Sequence, residues 1–72
     1  MQMGMSIKIR MLMAARGLTI AELARRLDMT PQNLSQKLGK DNFRESDLQL
    51  IARRCNATYE GSFTLNDTGK TI

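Results

Sequence analysis

Along the first half of the chain, apolar positions recur at helical spacing and are punctuated by caps. In SIKIRMLMAAR, Ile9, Leu12, Met13 and Arg16 fall on one helical face. Gly17 supplies the left-handed residue that ends such a helix, and Leu18 the apolar contact that follows it. TIAE predicts the next start: Thr19 and Glu22 form a capping box, Leu18 and Leu23 staple it, and Leu23, Ala24 and Leu27 make the buried stripe. After the short break Asp28-Met29, Thr30 caps a third helix with Pro31 at its first position. Met29 and Leu34 repeat the staple, and the helix is expected to run to about Leu38, with Gly39 closing it. A fourth helix begins between Arg44 and Asp47, with Asn42 or Ser46 as its cap, and turns Leu48, Ile51, Ala52 and Cys55 inward.

From Ala57 the period changes to two. Tyr59, Phe63 and Leu65 alternate with polar residues, interrupted only by Gly61, which predicts a strand over 58–66. NDTGK then turns, leaving too few residues for a full return strand. A lone strand leaves its backbone unpaired. Pairing with a second copy across a two-fold axis, with Tyr59, Phe63 and Leu65 sharing a buried face, is one solution. A frayed hairpin, or a tail packed on its own helices, is the other. The expected division is therefore residues 1–56 as a helical unit and 57–72 as a strand and tail for dimerisation.

Composition narrows the chemistry. Seventy-two residues make one domain near the lower limit for a single apolar core. Lys and Arg outnumber Asp and Glu by 11 to 7, and the pI of about 9.9 suits a polyanionic partner as well as plain solubility. There is no His, which removes Cys-His metal sites and His-based acid–base catalysis. Cys55 is alone, fits a reducing compartment, and reads as a small buried hydrophobe rather than a nucleophile. No apolar run approaches a membrane span, so a cytoplasmic protein is expected, with no metal, cofactor or catalytic residue.

Two short capped helices separated by two residues suggest a helix-turn-helix. LTIAELARRLDMTPQNLSQKLGK, with Ile9 and Leu12 before it and LQLIARRC after it, resembles the phage-repressor and Cro-like (Xre-type) helix-turn-helix regulators over roughly residues 7–56. The resemblance implies a mainly α, four- to five-helix, lambda-repressor-like domain, here extended by the C-terminal β-strand. Three positions depart from the family pattern. Asp28 stands where Gly with positive φ is usual, Ile20 where a DNA-contacting Gln is common, and Lys37 where an apolar residue is expected, with Leu38 taking the core role.

At about 100° per residue, Leu34 and Leu38 define the buried side of the third helix, and Gln32 and Gln36 fall opposite, with Asn33, Gly39 and Lys40 on the flanks. Gln and Asn carry a donor and an acceptor on one planar group, which matches adenine N6 and N7 in the major groove. Gln32, Asn33 and Gln36 are therefore the expected base contacts. Thr19, Thr30, Ser35, Lys37 and Lys40 are the expected backbone contacts. Arg25 and Arg26 read as solvated surface or Glu22 partners, and Lys8, Arg10, Arg53 and Arg54 as solubilising. The implied function is a regulator, expected to be a repressor, that binds double-stranded DNA as a homodimer on an inverted-repeat operator. The rivals are a protein–protein module that keeps the fold without DNA, supported by Ile20, and an antitoxin that represses its own operon.

Overall fold

The computed structural model describes residues 4–72, and among these four helices precede a small sheet. Helix α1 is Met5–Arg16, α2 Ile20–Arg26, α3 Pro31–Lys40 and α4 Glu45–Arg54; strands β1 and β2 are Ala57–Tyr59 and Phe63–Leu65.

The local signals act as their chemistry requires. Gly17, at φ 65°, ends α1, and the Leu18 amide donates to the Met13 carbonyl at 2.9 Å. Thr19 and Glu22 close the capping box in both directions at 3.1 Å. Helix α4 starts inside the expected window, yet neither Asn42 nor Ser46 caps it. The Asp47 carboxylate instead reaches back to the Arg44 amide at 3.0 Å.

Two expected boundaries are corrected. Helix α3 runs through Gly39 to Lys40, and Asp41, at φ 53°, takes the left-handed position instead. Asp tolerates that region better than most residues, and its side chain is held there: Oδ1 accepts from the Ser6 amide at 2.8 Å. The expected single strand over 58–66 is a hairpin. Gly61, at φ 78°, turns the chain, and antiparallel pairing sets Ala57 against Leu65, Thr58 against Thr64 and Tyr59 against Phe63. The period-two parity survives this, because Tyr59, Phe63 and Leu65 still share one face. Beyond the Asn66–Gly69 turn, the tail adds to the other edge of β2. The amides of Phe63 and Leu65 donate to the Ile72 and Lys70 carbonyls at 3.0 and 2.8 Å.

One core serves helices and sheet together. Ile9 and Leu12 of α1, Leu23 and Ala24 of α2, Leu34 of α3 and Phe63 of β2 are each fully buried. Phe63 and Leu65 thus spend their apolar surface inside their own chain, not on a face shared with a second copy. Tyr59 is half-buried, with its ring centroid 5.1 Å from that of Phe63. Cys55 is buried, and the loss of solvation pushes its thiol pKa up, as suits a small core residue.

Arg16 ties the two halves of the chain together. Its guanidinium donates to the Cys55 and Asn56 carbonyls at 2.9 and 2.8 Å and forks onto Asp67 at 2.8 and 3.0 Å. It therefore closes the C-terminal end of α4 and anchors the hairpin's far turn at once.

Candidate nucleic-acid interface

The α2–turn–α3 unit is built from short-range fits. Ala24 is 0% exposed, and its carbonyl accepts from both the Leu27 and Met29 amides, at 3.1 and 3.0 Å. A larger side chain at this fully buried position would push the two helices apart. Asp28 sits at φ 60°, the positive-φ position of the turn. Leu34 and Leu38 then pin the inner side of α3, at 0% and 3% exposure.

This fixes which side chains α3 presents. Gln32, Asn33, Ser35, Gln36 and Lys40 are all exposed, and none of their side chains forms a hydrogen bond among the described residues. Helix α3 contains no acidic residue. The amide groups are therefore free in both donor and acceptor senses, on a surface that a phosphate-lined groove would not repel.

The start of α3 leaves two backbone donors for an anion among the described residues. Pro31 has no N–H, the Thr30 hydroxyl accepts from the Asn33 amide at 3.1 Å, and the Leu34 amide is bonded to the Thr30 carbonyl. The Thr30 and Gln32 amides are left over, next to the Thr30 hydroxyl, whose own hydrogen is still available. Thr19 is placed in the same way at the start of α2, but its cap partner is an ionised Glu22. The hydrogen bonds from Thr19 hold the Glu22 pKa below the usual carboxylate range. A phosphate at Thr19 meets that second negative charge, so Thr30 is the stronger of the two anchors.

Lys37, one of the expected backbone contacts, has partners inside the chain. Its Nζ lies 3.3 Å from Asp47 Oδ2 and 5.8 Å from the centroid of the Phe43 ring. The half-exposed Lys37 still lines a surface hollow with Asn33, Gln36 and Lys40, and Lys40 forms no ion pair among the described residues. Asp47 is held below the usual carboxylate range by the Arg44 amide first, and by Lys37 second. Ile20 is likewise not a free apolar patch, because it is half-buried against the core. Arg26 is occupied too, donating to the Arg54 carbonyl at 3.1 Å.

Sequence reasoning missed the device that sets the far end of α3. Asp41, just past its last turn, caps α1: Gly4 offers no side chain, and the Asp41 carboxylate accepts from the Ser6 amide instead. The buried Ser6 hydroxyl lies 2.7 Å from the Leu38 carbonyl and 2.9 Å from Asp41 Oδ1. No local pattern announces a cap supplied from 35 residues away.

Two short helices crossing at a buried alanine, with a positive-φ turn and an exposed polar second helix, define a helix-turn-helix domain. The family model described as the Cro/C1-type HTH DNA-binding domain matches residues 8–58, and the chain belongs to that family. No curated protein and no solved structure matches the chain. No helix among the described residues is long and apolar enough to cross a membrane.

Proposed function

We propose that this chain is a sequence-specific transcriptional repressor that acts by occupying its operator. Helix α3 enters the major groove with Gln32, Asn33 and Gln36 at the base edges. The Thr30 and Ser35 hydroxyls, the Gln32 amide and Lys40 hold the phosphates, with Thr19 as a weaker anchor. The observation that carries this reading is the α3 surface itself: three exposed amide side chains without hydrogen-bond partners among the described residues, on an acid-free helix of a family whose domain binds DNA.

The protein binds as a homodimer on an inverted repeat, with the α3 helices in successive major grooves about 34 Å apart. Support for pairing comes from the tail rather than from Phe63 or Leu65. Thr71 bridges to Thr64 on one side, and its own N–H and carbonyl have no partner among the described residues. That is a short edge on which the same edge of a second copy can pair. Selection from random duplex DNA at low salt tests the proposal. Enrichment of two half-sites centred about one helical turn apart supports it. Enrichment of an isolated half-site removes the dimer, and no enrichment at all favours the protein–protein module.

A further inference from the structure

Helix α1 is apolar on two opposite faces, and only one of them is used. Ile9, Leu12 and Met13 face the core, whereas Ile7 and Met11 are 53% and 51% exposed, the large hydrophobic residues that the fold leaves out among those described. They stand four apart, and exposed Ala14 continues the line, so the stripe runs straight along the outside of the helix for about 10 Å. A soluble helix with no further contact normally carries polar residues there.

The charges beside the stripe say what kind of surface fits it. Lys8 and Arg10 flank it on either side, and α1 contains no acidic residue. Neither cation forms an ion pair among the described residues, and Lys8 reaches only the Gly61 carbonyl, at 3.4 Å. A second copy is a poor match: two α1 helices related by a two-fold axis bring Arg10 against Arg10 with no acid to offset it. An opposing helix with apolar residues four apart and Asp or Glu on its flanks matches both features.

We propose that the outer face of α1 docks an amphipathic, acid-flanked helix from a partner protein. Ile7, Met11 and Ala14 take the apolar side, and Lys8 and Arg10 take the carboxylates. The surface is small, so the complex is transient. It is also connected to the DNA-reading helix, because the Ser6–Asp41 cap joins the first turn of α1 to the end of α3.

The test uses the full chain, labelled for amide NMR, and two synthetic helical peptides with the same leucines at i, i+4 and i+7. One peptide is flanked by Glu and the other by Lys. The expected result is a set of shifts confined to residues 6–15 with the acidic peptide, and at least ten-fold weaker binding of the basic one. The acidic peptide is also expected to lose at least ten-fold affinity for a Met11→Glu variant, whose other resonances stay in place because the site is exposed. Equal binding of both peptides, or no shift at millimolar acidic peptide, overturns the proposal. So do α1 shifts that depend on protein concentration alone, which assign the face to a second copy. Binding to phosphatidylglycerol vesicles with neither peptide bound assigns it to a membrane surface and overturns the proposal as well.

Discussion

Asp41 has two opposing effects on stability, and substituting it separates them. At φ 53° it occupies a region that disfavours any residue with a Cβ. Replacement by Gly relieves a strain of under about 1 kcal/mol, Asp being among the better-tolerated residues there. The same change deletes the side-chain cap that α1 has among the described residues. Losing an N-cap acceptor costs about 1 kcal/mol. The Ser6 hydroxyl adds a second loss, though a smaller one than two short distances suggest. It has one hydrogen for two acceptors, Leu38 O and Asp41 Oδ1, and can fall back on the carbonyl. Asp41→Gly is therefore expected to be net destabilising by about 1 kcal/mol, a fall in Tm of about 4–8 °C for a domain of this size. Asp41→Asn keeps both the conformation and an acceptor, and loses about half as much. Urea unfolding of Asp41→Gly, Ser6→Ala and the double variant gives the coupling, expected at 0.5 kcal/mol or more, about the lower bound for residues in direct contact. Single effects that simply add, or an Asp41→Gly protein more stable than wild type, would refute the cap and leave backbone strain as the whole effect.

Lys40→Ala is expected to weaken DNA binding and lower the slope of log K against log salt by about one, whereas Lys37→Ala leaves the slope unchanged and lowers thermal stability. Fluorescence anisotropy over a salt series separates the two. Asp67 is held below the ordinary carboxylate range chiefly by the Arg16 fork, as Asp47 and Glu22 are by their cap amides. A depressed folded-state pKa stabilises fully above the unfolded value of about 4 and is lost as pH falls through the folded value. Stability should thus be flat near neutrality and fall below about pH 4, and Asp67→Asn should make that acid loss shallower. A chain ending at Asn56 lacks Ala57, Phe63 and Leu65 of the core, so circular dichroism should show loss of cooperative helix rather than a folded monomer.

The elements legible in the sequence are those whose cause is local. The capping box at Thr19, the Thr30-Pro31 start, the Gly17 stop and the Leu34–Leu38 stripe each depend on residues within one or two turns. They suffice to place the helix-turn-helix and to turn Gln32 and Gln36 outward. The positive φ of Asp28 is expected from the resemblance instead, since the family usually has Gly at that turn position. What escaped depends on distant partners. The left-handed stop passes from Gly39 to Asp41 because Ser6 holds the Asp41 carboxylate. Lys37 meets Asp47 and the Phe43 ring because the α3–α4 loop folds them back against it. The hairpin lies between these cases. Alternation gave the correct face, and Gly61 was the visible break, but only the core's demand for Phe63 and Leu65 decides that the chain folds back rather than running on to a second copy. Arg16, read as one more helical position, is the strongest link between the two ends of the chain.

The central claim is that α3 reads sequence through its amides. Its most direct test is to select binding sites from random duplex DNA for the wild type and for a Gln32→Ala, Gln36→Ala variant. Both residues are exposed and their side chains have no hydrogen-bond partner among the described residues, so the variant should melt close to the wild type. Its residual binding is expected to lose preference at the base pairs facing α3, at a cost of about 1–3 kcal/mol per contact, while keeping its salt dependence. The same preferred site emerging from both proteins would contradict the central claim.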